Sequence, residues 1–128
     1  MALLLDTHAA LWCALGDQKL SAVARAAIEG ENQQRNVSAA SYWEIAIKVC
    51  LGRFTLTVPF GNFWNDAFNR CGYAVLPIEI RHADRVSNLP RLHGDPFDRM
   101  LVAQALCEQL PIVSNDSRLD DYGVQRIW

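Results

Sequence analysis

The stretch Asp95-Pro96-Phe97-Asp98-Arg99-Met100-Leu101-Val102-Ala103-Gln104-Ala105-Leu106-Cys107-Glu108-Gln109, followed at once by Leu110-Pro111-Ile112-Val113-Ser114-Asn115-Asp116, decides the fold. Its first half, Asp95 to Gln109, reads as a helix, with Pro96 in the first turn, where a missing N–H does no harm. Its second half, Pro111 to Ser114, reads as a short apolar strand. Outward from it the same alternation recurs. Ala2 to Leu5 is an apolar strand, and Thr7 to Leu15 a helix that is apolar almost all round and stops at Gly16. Ser21 to Glu29 is a more amphipathic helix, and Asn36 to Ser38 a second strand. The following helix is expected to bury Trp43, Ala46, Ile47, Cys50 and Leu51, a stripe at i, i+3, i+4, i+7 and i+8 that ends at Gly52. Phe60 to Cys71 repeats the pattern, with Phe60, Phe63, Trp64 and Phe68 on its core face. Ala74 to Ile78 is a third strand, Glu79 to Asn88 a helix, Pro90 to Gly94 a loop, Ser117 to Tyr122 a short helix or turn, and Val124 to Trp128 a fifth strand. Strands alternating with helices imply an α/β domain on a parallel sheet.

The 128 residues suit a single domain with one real core. Hydrophobic residues make up 51% and charged residues 20%, a balance that argues against disorder. No apolar run approaches the roughly 20 residues of a membrane span. The start, Met-Ala-Leu-Leu-Leu-Asp, lacks a basic region and meets an acid at Asp6, so it does not read as a secretory signal and the expected compartment is the cytoplasm. Cys13, Cys50, Cys71 and Cys107 are far apart and form no Cys-x-x-Cys pair, so small buried thiols are expected in place of a zinc site or disulfides.

Net charge is −2, unlike a typical nucleic-acid binder, yet ten of the 12 basic residues are arginine, whose planar fork suits phosphate. Setting aside four acids committed to a metal would turn −2 into +2. The balance leaves a nucleic-acid substrate open.

Position matters more than number among the acids. Asp6 follows strand one, Glu44 lies early in the helix after strand two, Asp95 and Asp98 open the helix before strand four, and Asp116 follows strand four. In an open parallel sheet the loops leaving the carboxyl ends of the strands meet at one edge, where ligands bind at the topological switch point. Helix N-termini at that edge lower the cost of gathering carboxylates. Each acid also has a local role open to it. Asp6, Asp95 and Asp116 are good N-caps. Ser41 to Glu44 fits a capping box if its helix starts a turn later, and Glu44 with Lys48 makes an i, i+4 pair. Asp98 lies beyond any cap, and Arg99 points ~100° around the helix from it. Jointly, four converging carboxylates repel unless a cation holds them. Carboxylate oxygens without His or Cys select Mg²⁺ or Mn²⁺ over zinc, ions that bind phosphate and activate water.

Leu4-Leu5-Asp6-Thr7-His8, Ser41-Tyr42-Trp43-Glu44-Ile45, Gly94-Asp95-Pro96-Phe97-Asp98-Arg99-Met100-Leu101-Val102-Ala103-Gln104-Ala105 and Val113-Ser114-Asn115-Asp116 resemble PIN-domain nucleases, and among these the VapC-type toxins of bacterial toxin–antitoxin pairs. The resemblance covers essentially the whole chain in order, and the Asp-Pro-Phe-Asp-Arg block is its most specific piece. It implies a three-layer α/β/α sandwich with a five-stranded parallel sheet. It implies that Asp6, Glu44, Asp98 and Asp116 form an acidic metal pocket for Mg²⁺ or Mn²⁺, with Asp95 at its edge and Thr7, Arg99 and Asn115 as supporting or substrate-facing residues. It implies endoribonuclease activity on tRNA or rRNA, silencing by a cognate antitoxin, and a homodimer. His8 and His93 are expected at the surface or behind the acids. Arg99 and Arg118 are open as phosphate contacts or as ion pairs steadying the acids. Helix one (Ala9, Ala10, Leu11, Trp12, Ala14, Leu15) is expected to offer a partner surface. Two other classes compete: a catalytically silent binding module on the same fold, and a phospho-acceptor receiver domain. The receiver needs a lysine after a late strand, and lysine occurs only at positions 19 and 48.

Overall fold

A computed structural model describes all 128 residues. Five strands, β1 (Ala2–Leu5), β2 (Gln34–Ser38), β3 (Tyr73–Leu76), β4 (Ile112–Val113) and β5 (Arg126–Ile127), form one all-parallel sheet in the order β3-β2-β1-β4-β5. Leu4 pairs with Asn36 on one side and Ile112 on the other. The connections wind outward from β1 in both directions, so the switch point lies between β1 and β4. A receiver's sheet runs 2-1-3-4-5, so the topology removes that alternative.

Six α-helices cover both faces: α1 (Thr7–Leu15), α2 (Ala22–Glu29), α3 (Ala39–Cys50), α4 (Phe60–Cys71), α5 (Ile80–Asn88) and α6 (Pro96–Glu108). Strand alternation divides the core in two. Leu3, Leu5 and Val113 join Leu11, Ile28, Ile45 and Trp64 on the α1 to α4 side. Leu4 and Ile112 join Leu101, Val102, Leu119 and Tyr122 on the α6 side. This is the expected three-layer sandwich. Local signals set the helix ends: α1 stops at Gly16, whose φ of 65° is left-handed, and α6 stops at Gln109, also left-handed.

Four expectations fail. In α3 the buried residues are Ala40, Ser41, Glu44 and Ile45, while Trp43 is 62% exposed and Cys50 and Leu51 are exposed. The helix is turned by about 100° from its apolar stripe, one residue's rotation, because its inward face carries the polar groups of the site. The cysteines are not buried thiols, since Cys50 is exposed and the other three are half-buried. Helix α1 offers little free apolar surface: Ala9, Ala10, Leu11 and Ala14 are buried, and Trp12 is half-buried against the core beside the Trp128 ring. Only Leu15 among its large apolar residues is exposed. The exposed apolar surface lies instead around Trp43 and Ile78, with the Phe97 ring edge-on to Trp43 at 5.5 Å. Strands β4 and β5 have two residues each, shorter than their apolar runs suggest.

Candidate active site

The site is built where β1 and β4 end. Asp6 leaves β1 and caps α1, its Oδ1 accepting the Ala9 N–H at 2.7 Å. Capping and pocket roles coincide in this residue. Its side chain is buried, and burial raises its carboxyl above the usual range against the opposing pull of Ser114 and the Ala9 N–H. The next residue, Thr7, places Oγ1 2.8 Å from Glu44 Oε1 and 2.8 Å from Ser41 Oγ.

Glu44 enters from α3, whose N-cap is Ser38, accepting from the Ala40 N–H; Ser41 therefore sits inside the helix and makes no capping box. With Thr7 on Oε1 and Lys48 Nζ 3.0 Å from Oε2, Glu44 is fixed at both oxygens. The i, i+4 pair is formed.

Asp95 caps α6, its Oδ1 accepting the N–H groups of Phe97 and Asp98 at 2.8 and 3.2 Å. Asp98, one turn in, points back to the same edge. Burial first, then the charge of Asp95, push its carboxyl up to about 6, and Asp6 and Glu44 add to the effect. Asp98 therefore feels the charge of all three.

Asp116 leaves β4 and caps the 3-10 helix Ser117–Tyr122. Arg118 grips it twice, Nε to Oδ1 and Nη2 to Oδ2, both at 2.9 Å, and donates its backbone N–H to Oδ1 at 3.0 Å. These bonds, Arg118 foremost and His93 after it, hold the Asp116 carboxyl well below the usual range. Arg118 is thus an ion-pair partner of the site.

Two residues have larger parts here than the sequence suggested. His93 is buried and faces inward, with Nε2 3.0 Å from Asp116 Oδ2 and 3.3 Å from Asp98 Oδ2. Of the two expected placements, behind the acids is the one realised; His8, by contrast, is exposed and tilted against the Trp12 ring. Ser114, fully buried, bonds the Asp6 side chain and accepts the Asp116 N–H at 3.1 Å, joining the ends of β1 and β4. Ser114 carries no sequence signal beyond its place between the strand and Asp116. Arg99 does not reach the acids. Its guanidinium donates to the carbonyls of Val86, Leu89 and Pro90 and to Tyr122 Oη. Asn115 is exposed at the rim beside Asp116 and makes no hydrogen bond.

The donor set suits a hard divalent cation. Glu44 and Asp116 have basic partners, but Asp6 and Asp98 have neither a lysine nor an arginine, and both are raised in pKa by burial. Ligand oxygens of Asp98 and Asp116 and the Nε2 of His93 fall within 4.8 Å of one another. The other such cluster, Glu79, His82 and Glu108, is tied up by Arg81, which pairs with both glutamates, and by the capping of α5.

Comparison with known proteins bears on the fold and the family. Ribonuclease VapC22 of Mycobacterium tuberculosis is 29% identical over 128 residues, covering 98% of this chain and 97% of its own. Among solved structures, VapBC2 from Rickettsia felis bound to a DNA fragment from their promoter has a TM-score of 0.73 at 12% identity, with full coverage of both chains. VapBC-1 from nontypeable Haemophilus influenzae has a TM-score of 0.65 at 16% identity, covering 98% of this chain and 96% of its own. The PIN domain model matches residues 3–125, a span that holds all five acids of the sheet edge and every element but β5 and the first residue of β1. With sheet order, acid placement and family model in accord, the chain belongs to the PIN domain family.

Proposed function

We propose that this chain is a metal-dependent endoribonuclease, the toxin of a toxin–antitoxin pair, which hydrolyses RNA phosphodiester bonds at the Asp6, Glu44, Asp98 and Asp116 pocket. One observation carries the reading: Asp6 and Asp98 converge at the switch point with no lysine or arginine to neutralise them. Ribonuclease VapC22 and the toxin–antitoxin complexes among the structural neighbours support the substrate and partner classes.

When bound, Mg²⁺ or Mn²⁺ lowers the pKa of a coordinated water and offsets charge on the scissile phosphate. The chain supplies the frame. Asp6, Glu44, Asp98 and Asp116 would hold the cation, with Glu44 fixed in place by Thr7 and Lys48. Asp95 fixes the first turn of α6 and so aims Asp98. Asn115 stands free at the rim to meet RNA. Arg118, 69% exposed along its side chain, can leave Asp116 and turn toward a phosphate. The expected compartment is the cytoplasm, and no helix is long and apolar enough to cross a membrane.

The test is cleavage of a structured RNA by purified protein freed of antitoxin. Cleavage is expected with Mg²⁺ or Mn²⁺ and none in excess EDTA. Cleavage that persists in chelator, or that requires zinc, would overturn the carboxylate–metal mechanism.

Partners enter through the exposed apolar surface. Trp43, Phe97, Ile78 and Met100 surround an apolar hollow between α3 and α6, which a second copy covers in the proposed homodimer. Trp43→Glu is expected to leave the melting temperature of the monomer nearly unchanged and to abolish self-association in sedimentation. Trp12→Glu is expected to destabilise the monomer by about 2 kcal/mol, since the ring packs on the core. A Trp43→Glu protein that still dimerises would move the interface elsewhere.

A further inference from the structure

We infer that His93 is a positioning residue which holds Asp116 through its Nε2–H, in contact with Asp98, and stays outside the ligand set of the cation. The inference rests on the metal pocket proposed above.

The ring is fixed at three points. Its Nδ1 accepts the Asp95 backbone N–H at 3.1 Å. A nitrogen that accepts an N–H presents its lone pair there, so the ring hydrogen sits on Nε2. That hydrogen meets Asp116 Oδ2 at 3.0 Å, and Asp98 Oδ2 lies 3.3 Å from the same nitrogen as an ion-pair contact outside hydrogen-bond geometry. The His93 backbone N–H donates to Tyr122 Oη at 2.8 Å, which anchors the loop that carries the ring. The side chain is only 4% exposed.

This arrangement decides between two roles. A histidine that binds a metal through Nε2 needs its lone pair there and its hydrogen on Nδ1. Here Nδ1 meets a backbone donor, so that tautomer would set two hydrogens against each other. The Asp95 N–H is tied to the N-cap of α6, because the backbone turn that directs it also aims Asp95 Oδ1 at the Phe97 and Asp98 N–H groups. The carbonyl or carboxylate that usually accepts from the outer nitrogen of a metal-bound histidine is replaced by a donor. His93 therefore serves the carboxylates as a donor. It fixes one oxygen of Asp116 by a hydrogen bond, sits 3.3 Å from one of Asp98, and leaves their remaining lone pairs for a cation. Arg118 also binds Asp116, but from solvent, whereas His93 is held from within the fold. It is also the one basic side chain in contact with Asp98.

The measurement is a long-range ¹H–¹⁵N correlation spectrum of the imidazoles in the intact protein, metal-free and saturated with Mg²⁺, beside calorimetric Mg²⁺ titrations of wild type, His93→Gln and His93→Leu. His93 is expected as the Nε2–H tautomer in both states. His93→Gln, whose amide nitrogen reaches about as far as Nε2, is expected to keep Mg²⁺ affinity within about threefold, and His93→Leu to weaken it about 10–100-fold. A change to the Nδ1–H tautomer on adding Mg²⁺ would make His93 a ligand and overturn the inference while leaving the metal pocket standing. Mg²⁺ affinity unchanged in a folded His93→Leu protein would overturn it equally. Wild-type protein that takes up neither Mg²⁺ nor Mn²⁺ would remove the pocket itself, and the inference with it.

Discussion

Asp98→Asn is expected to abolish RNA cleavage, by a factor of about 10³ or more, while leaving the metal-free protein as stable as wild type or more so. The two halves of that result have one cause. Asp98 is half-sheltered at an edge that already holds Asp6, Glu44 and Asp95, and its carboxyl is pushed up to about 6 by burial and by those charges. At neutral pH the folded chain must nevertheless keep it ionised. Allowing for solvent screening, the strain is about 1–2 kcal/mol. The amide keeps the shape and removes the charge, so the strain disappears together with the ligand.

The sign follows from linkage. An acid whose pKa is higher in the folded than in the unfolded chain binds more protons when folded, over the window between the two values. Wild-type stability should therefore rise as pH falls from about 6 toward about 4, as far as Asp98 controls it. Asp6 acts in the same sense, and Asp116, held low by Arg118 and His93, acts in the opposite sense at lower pH. Asp98→Asn should flatten the slope between pH 6 and 4. It should also erase the rise in melting temperature with Mg²⁺, which for wild type at 100 times Kd corresponds to about 2.7 kcal/mol. Melting curves at pH 5 and 7, with and without Mg²⁺, read all of this. A variant that melts lower without metal, or that keeps the Mg²⁺ shift, would take Asp98 out of the site.

Elements whose residues obey one constraint were legible in the sequence. Strand β1 reads correctly because Leu3, Leu4 and Leu5 serve two cores at once, and α6 because Asp95 and Pro96 mark its start unambiguously. The four acids lie at one edge, as expected, because their places after strands and at helix starts bring them there whatever the side-chain details. Legibility failed where two constraints compete. The apolar period of α3 points to Trp43 and Leu51, but the site requires Ser41 and Glu44 inward, so the helix turns its large apolar residues outward. Helix α1 looks too apolar for one domain until the Trp128 ring, more than 100 residues away in sequence, packs beside Trp12. His93 was ambiguous for a similar reason. Only the fold brings the 3-10 helix and Asp116 against the Pro90–Gly94 loop, and with them the hydrogen-bond partners that decide its role.

Arg99 poses the sharpest choice between substrate binding and architecture, and the structure favours architecture. An arginine next to Asp98 in a nuclease invites a phosphate role. Its guanidinium, however, donates to Pro90 O at 2.8 Å, to Val86 O and Leu89 O at 3.3 Å each, and to Tyr122 Oη at 3.3 Å. It thereby closes the C-terminal end of α5 and the start of the loop that ends in His93. Tyr122 Oη in turn accepts the His93 N–H, so one guanidinium steadies both the loop and its anchor. Arg99→Met keeps most of the apolar stem and removes every donor. The carbonyls lose a charged partner, and a loss of about 2 kcal/mol is expected, or a melting temperature lower by about 8 °C for a domain of this size. Lysine should restore little of it, because one ammonium cannot span the carbonyls that the planar fork bridges. Unlike Asp98→Asn, the deficit should be present without metal and persist at saturating Mg²⁺. Cleavage should fall mainly through kcat, as the loosened loop lets His93 drift from Asp98 and Asp116. If Arg99 instead met the scissile phosphate, Arg99→Met would melt with wild type and raise KM for RNA, and the fastening role would be lost.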